Sequence, residues 1–369
     1  MLQDLFHNLY FLVFFSIVFS VLVSLRIYPV IIYLAHKKKL MDEPGHRSGH
    51  VRKTPTLGGI GMFITFSLSI ILLGILTQLN QGDLLKLLSI LGGTIILLFL
   101  GIKDDLLVLS PSKKFSGQIF SSALVVLGTD VRIESFYGVF GVGDLNYVIS
   151  VVFTLLVFVF IINAFNLIDG IDGLASSVAI IANTSFGVYF AMNNQYLYVL
   201  LSFSLIGVLL GFLRYNLSRK RKLFMGDSGS LFLGFLLAYQ AIGFLSVNEM
   251  EQTVFSVTNA PIMVLAILAY PILDTLRVFT IRIVNGKSPF SADRNHIHHR
   301  LLDNGFSHIK STLIVAICNI FVIQIAFVLS DLYLTLQLYI ISVVLPLICL
   351  FPFLLVQREG KIRIEVPKL

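Results

Sequence analysis

The sequence predicts an all-α polytopic membrane protein: one integral-membrane domain of about eleven transmembrane helices, N-terminus outside, C-terminus cytoplasmic. Three observations carry that expectation. Of 369 residues, 56% are hydrophobic and only 13% charged, with a mean hydropathy of +0.90, whereas soluble domains carry about 25% charged residues. Apolar runs long enough to cross a hydrocarbon core of ~30 Å recur along the whole chain. The loops between them alternate between rich and poor in lysine and arginine, as the two sides of a membrane do. This composition argues against a cytosolic enzyme, a repeat solenoid, a nucleic-acid module and a disulfide scaffold. Cys318 and Cys349 sit inside apolar runs with no metal or redox spacing and read as small hydrophobes. No lysine or arginine precedes Arg26, and the first apolar run is too long for a signal peptide.

In order, the runs lie near 8–35, 57–78, 84–102, 116–128, 147–165, 173–191, 196–213, 229–247, 260–281, 311–330 and 332–356. The fourth is short. The ninth contains Pro261 and Pro271, tolerable where neighbours satisfy the freed carbonyls. Six basic residues fall in 36–56, three in 103–115, five in 214–228, six in 277–310 and four beyond 357, so 24 of the 27 lie on one side. The opposite loops hold Arg132 alone; Arg26 and Lys86 lie within or beside spans. The basic side is cytoplasmic, which accounts for the net charge of +7 without nucleic acid. Seven of the eight histidines and most clustered acids share that side. Chemistry is therefore expected at the cytoplasmic face. The segment 131–146, alternating aromatics with glycines, reads as a small outer hairpin.

Four constellations stand out there, each with two readings. Asp104-Asp105 ends the third span, with Lys113 and Lys114 nine or ten residues on. It is either a solvated span end or a phosphate or metal site, and adjacent residues point ~100° apart on a helix, so the two acids have different tasks. Asn163, Asn166, Asp169, Gly170, Asp172 and Gly173 fill one inner loop that lacks any basic residue. It suits a hard cation and hydroxyl-rich ligands, or is only a turn. Phe224-Met-Gly-Asp227-Ser-Gly-Ser opens the eighth span. Its backbone N–H groups either receive phosphate oxygens, with Asp227 on a metal, or are merely capped. His296, His298 and His299 lie between Arg294 and Arg300, a set better suited to a pyrophosphate than to zinc. The run 219–222 reads as a topology anchor. Together the four fit a metal-bridged diphosphate.

The strings DDLLVLSPSKKF, NAFNLIDGIDGLA, FMGDSGSLFLG and HIHHRLL resemble the motifs of the polyprenyl-phosphate N-acetylhexosamine-1-phosphate transferases. An upstream stretch, Asp42-Glu-Pro44 with Arg52-Lys-Thr-Pro55-Thr-Leu-Gly58-Gly59, fits as well, so the match runs in order over 42–310. The resemblance implies Mg²⁺-dependent (Mn²⁺ being chemically similar) transfer of a sugar-1-phosphate from a UDP-N-acetylhexosamine to undecaprenyl phosphate, releasing UMP. This would be the first membrane step of a cell-envelope polysaccharide, teichoic acid or lipopolysaccharide, in a bacterial cytoplasmic membrane. By resemblance Asn166 and Asp227 are metal ligands and Phe224 stacks on uracil. Asp169 and Asp172 contact nucleotide, and Lys53 and Lys114 lie near the phosphates. His296, His298, His299 and Arg300 hold diphosphate or sugar. Asn216 takes the position of a uridine-contacting asparagine, although the residues after it, Leu-Ser-Arg-Lys-Arg-Lys, depart from the family's Asn-x-x-Pro-Ala.

A lipid phosphate monoester has a second pKa of about 6, so it is largely dianionic at neutral pH. Asp104 and Asp105, the catalytic pair, then position or polarise; direct attack and an aspartyl-phosphate intermediate both stay open. Odd span count and histidine spacing resemble the N-acetylglucosamine branch rather than the muramoyl-pentapeptide branch. A secondary transporter is the rival class, but no internal repeat supports it. A homodimer is allowed, not specified.

Overall fold

The computed structural model describes residues 2–42, 53–107, 109–250, 252–289, 296–358 and 361–364. Its helices in chain order are α1 (Leu2–His7), α2 (Leu9–Lys38), α3 (Gly58–Leu76), α4 (Gln81–Leu107), α5 (Pro111–Thr129), α6 (Tyr147–Ile168) and α7 (Leu174–Met192). There follow α8 (Tyr196–Asn216), α9 (Gly226–Glu249), α10 (Ala260–Ile267), α11 (Ala269–Val284), α12 (Ile297–Asp303), α13 (His308–Val328) and α14 (Leu334–Leu350). Two small antiparallel ribbons complete it, β1 (Met41–Asp42) with β2 (Thr54–Pro55), and β3 (Leu355–Arg358) with β4 (Lys361–Ile364).

Among the described residues nine helices are long and apolar enough to cross a membrane, or ten if the bent pair α10–α11 counts as one. The expected eleven is thus reduced. The fourth expected span is α5, 19 residues long, of crossing length but too polar to join that set. Chain ends differ too. Pro352 follows α14, the chain tightens into a 3₁₀ turn at Phe351–Leu354, and the apolar run closes in the β3–β4 hairpin instead of continuing helical to 356.

α9 is the hub, enclosed on every side by α6, α4, α3, α7 and α10. Its small residues permit this. A Cβ on Gly234 would stand 2.7 Å from the Cα of Ile162, so α6 and α9 pack backbone to backbone, as small residues allow between membrane helices. Large apolar side chains on the outside of α2, α4, α13 and α14, such as Phe14, Phe99, Phe321 and Leu347, are exposed, the surface a bilayer covers.

The ninth expected span is two helices, not one. α10 and α11 meet at 75°, because Pro271 in the first turn of α11 has no N–H to return to Ile267. Asn319 of α13 replaces the missing bonds: its Oδ1 accepts from Tyr270 N at 3.0 Å and its Nδ2 donates to Ile267 O at 3.1 Å. Buried backbone groups at the break are thereby paired. The segment 131–146 does fold back on itself, through an isolated antiparallel bridge between Ser135 and Asp144.

Candidate active site

One end of the bundle gathers the C-terminal ends of α4 and α6 with the N-terminal ends of α3, α5 and α9. Three glycines make that approach possible. A Cβ on Gly58 would stand 2.3 Å from Phe224 O, one on Gly59 2.1 Å from Gly229 N, and one on Gly101 2.2 Å from Ser228 Cα. The chain beside β2 runs along the entry to α9: Phe224 N donates to Pro55 O (2.8 Å), Gly58 N to Phe224 O (3.0 Å) and Gly59 N to Met225 O (2.9 Å). Exposed Lys53 lies two residues ahead of that contact.

α4 runs five residues past its expected end, so Asp104 and Asp105 ride its last turn. Their tasks do differ. Buried Asp104 accepts from Leu109 N at 2.6 Å and pairs with the Lys114 ammonium. Asp105 accepts from the backbone N–H groups of Asp227 (2.8 Å) and Ser228 (3.2 Å). That second finding corrects the reading of the Gly-Asp-Ser turn as an anion nest: a carboxylate of the protein itself takes two of the N–H groups at the start of α9. Gly226, at φ 72°, makes the turn into that helix.

Asp227 is the centre of the cluster. Its Oδ2 accepts from Lys114 Nζ at 3.0 Å and its Oδ1 from Asn166 Nδ2 at 2.6 Å; Asn166 also reaches Ser230 Oγ at 2.9 Å. Asn163, one turn earlier on α6, is drawn into a reciprocal amide pair with Gln118 of α5, with N–O distances of 2.7 and 3.3 Å.

The turn after α6 holds the other acids. Asp172 Oδ2 pairs with Lys222 Nζ at 2.6 Å and His308 Nδ1 at 2.9 Å, and its carbonyl accepts from Thr312 Oγ1 at 3.0 Å. Burial opposes its charge, but the bonds from His308 and Lys222 hold its carboxyl below the usual range. Among the described residues no cation pairs with Asp169 in this way. Burial first, then the negative charges of Asp227, Asp105 and Asp172, push its carboxyl up to about 8. Lys222 therefore belongs to the site, a correction to its reading as a topology anchor, and its Nζ lies 5.4 Å from the centre of the Phe224 ring. Asn216 is buried with both ends of its amide engaged, Oδ1 by Gly173 N at 2.6 Å and Nδ2 by Leu223 O at 3.0 Å. It ties the acidic turn to the segment that leads into α9.

The histidines close one flank. His298 is fully buried and its Nε2 lies 2.3 Å from where a Cβ on Gly170 would stand. Burial, then His299, His296 and His308, press its pKa well below the ordinary value. His296 is buried, His299 half-buried and Arg300 exposed on α12. Glu43, Pro44 and Arg52 of the upstream stretch, and 291–295 of the histidine motif, lie outside the described residues. Sequence reasoning missed Ser230, His308 and Thr312; only Ser230, inside a quoted motif, carried any local signal.

Among the described residues no three His, Cys, Asp or Glu side chains converge into a ready-made ion cage. The donor set fits Mg²⁺ nonetheless. That ion is commonly held by one or two carboxylates and completed by water and substrate phosphates. Here Asp227 offers carboxylate oxygens, Asn166, whose Nδ2 bonds Asp227, would ligate through its amide oxygen, and the space between Asp227 and Asp104 already receives a cationic group, the Lys114 ammonium.

Comparison with known proteins points to one family. Residues 87–245 match the model of glycosyl transferase family 4. A probable undecaprenyl-phosphate N-acetylglucosaminyl 1-phosphate transferase of Bacillus subtilis is 34% identical over 88% of this chain and 87% of its own length. A decaprenyl-phosphate N-acetylglucosaminephosphotransferase of Mycolicibacterium smegmatis is 35% identical over 74% and 71%. An undecaprenyl-phosphate alpha-N-acetylglucosaminyl 1-phosphate transferase of Yersinia pestis is 27% identical over 77% and 75%.

Proposed function

Because this chain belongs to the polyprenyl-phosphate N-acetylglucosamine-1-phosphate transferases, membrane phosphotransferases, we propose that it transfers N-acetylglucosamine-1-phosphate from UDP-N-acetylglucosamine to undecaprenyl phosphate. The observation that carries the proposal is the Asp104–Lys114–Asp227–Asn166 cluster, a cation among hard oxygens at the meeting of four helices. We place this end of the bundle at the cytoplasmic face of a bacterial membrane, on the strength of the lysine and arginine distribution.

The reaction joins two anions, so charge is the main obstacle. An oxygen of the lipid phosphate forms a bond to the sugar-bearing phosphorus. The bond from that phosphorus to the UMP oxygen breaks, and UMP leaves. Lys114 neutralises incoming phosphate oxygens, and Asp104 holds it in place. Asp105 fixes the start of α9 and thereby Asp227. Asp227 and Asn166 would hold Mg²⁺, which when bound screens the diphosphate and polarises its oxygens. Phe224 offers a face to uracil, with Asp169, Asp172 and Lys222 around the nucleotide and Asn163, Asn216 and Lys53 at the border. His296, His298, His299 and Arg300 take the diphosphate or sugar.

The test is UMP release by purified protein in nanodiscs with undecaprenyl phosphate, offered UDP-N-acetylglucosamine or UDP-muramoyl-pentapeptide. Preference for the first is expected; preference for the second would overturn the donor while leaving the reaction class. EDTA should abolish turnover and Mg²⁺ restore it. Asp227→Asn should lower the rate about 10²-fold or more, and near-normal turnover of that variant at limiting Mg²⁺ would remove Asp227 from the metal site.

A further inference from the structure

The α10–α11 pair carries a carboxylate for which the transfer chemistry above has no use. Asp274 lies on α11, six residues past the break, and is 0% exposed. An ionisable side chain inside a membrane helix marks function by default. Both oxygens of Asp274 are engaged on the histidine segment: Oδ2 accepts from His296 Nδ1 at 2.8 Å, and Oδ1 from Ile297 N, the first residue of α12, at 2.9 Å.

One helical turn earlier, the Tyr270 hydroxyl lies 3.4 Å from His298 Nδ1. The rings of His296 and His298 are stacked, with centroids 5.4 Å apart and planes at 16°. A single face of α11 therefore engages the same nitrogen of two parallel rings and turns both Nε2 atoms away from itself. His298 Nε2 has no hydrogen-bond partner among the described residues, and it faces Gly170 in the acidic turn.

We propose that Asp274 is a positioning residue for the transfer, fixing the tautomer of His296 and seating α12 so that the histidine Nε2 atoms meet the donor groups of the sugar. The proposal rests on the role assigned above to the histidines. A carboxylate oxygen accepts, so the neutral ring holds its hydrogen on Nδ1 and offers Nε2 as an acceptor, which suits a sugar hydroxyl or amide N–H and not a phosphate oxygen. Asparagine at 274 can keep Ile297 N–H on its carbonyl. Its amide then donates to Nδ1 and drives the ring hydrogen to Nε2.

The experiment compares Asp274→Asn, Asp274→Glu, His296→Ala and the double variants with His296→Ala, all full-length in nanodiscs, by UMP release. Asp274→Asn should lower kcat about 10-fold or more, leave KM for undecaprenyl phosphate unchanged, and have no further effect in the His296→Ala background. Asp274→Glu, which keeps an acceptor, should retain more activity than Asp274→Asn. An equal rate loss from either Asp274 variant with and without His296 would overturn the proposal, as would normal kinetics in Asp274→Asn. If Asp274→Asn fails to fold, Asp274→Glu decides in both backgrounds. No UMP release by the unaltered protein from any donor would instead sink the transferase assignment itself.

Discussion

Lys114 stands between two carboxylates, and its removal would leave Asp104 and Asp227 facing each other with no cation between them. Lys114→Ala is expected to lower kcat about 10²-fold, while Lys114→Arg retains part of it; equal rates for all three forms would show that the ammonium is only a spacer. Asp169 makes a pH prediction. Its carboxyl is pushed up to about 8, so the folded protein keeps a proton that the unfolded chain loses near ~3.9. The resulting stability is full below that value and is lost as pH rises through 8. In metal-free protein, Asp169→Asn should therefore melt higher than the unaltered chain at pH 8, with the gain shrinking toward pH 4. At this scale the sequence was legible where chemistry is local: the Asp-Asp pair, the Asn-Asp turn and the Gly-Asp-Ser string all meet. Lys222 was not, because a lysine in a run of four cations looks like any membrane anchor until Asp172, fifty residues away, is found 2.6 Å from it.

Helices supply the next level. The span pattern foretold most elements because a bilayer demands ~20 apolar residues wherever the chain crosses. It failed where tertiary partners decide. The sharp bend between α10 and α11 depends on Asn319, a buried amide of α13, and the C-terminal ribbon rests on Asn304, whose carbonyl accepts from Gln357 N at 2.9 Å. Neither partner is readable from its own segment. Asn319→Leu should cost about 1–3 kcal/mol by orphaning a buried donor and acceptor, visible as a lower Tm; an unchanged Tm would show that the break holds itself. Gly59→Ala forces a methyl onto the backbone of Gly229, so loss of activity together with stability is expected.

Over the whole molecule the basic residues predict orientation. Cysteine placed at Lys222 should resist membrane-impermeant reagents in intact cells, while one at Phe140 should react; the reverse pattern would turn the protein over. The clasp on Asp172 has a consequence for biosynthesis. The clustered acids are made early, on α4, the turn after α6, and α9, yet His308 and Thr312 that grip Asp172 lie on α13. A ribosome adding about 5–20 residues per second must therefore run on for several seconds after Asp227 before the clasp on Asp172 can set. During that interval Asp104 and Asp227 already have Lys114, and Asp172 has Lys222 but neither His308 nor Thr312. Donor binding should accordingly switch on only in chains stalled beyond α13, making assembly of the site a late event in insertion.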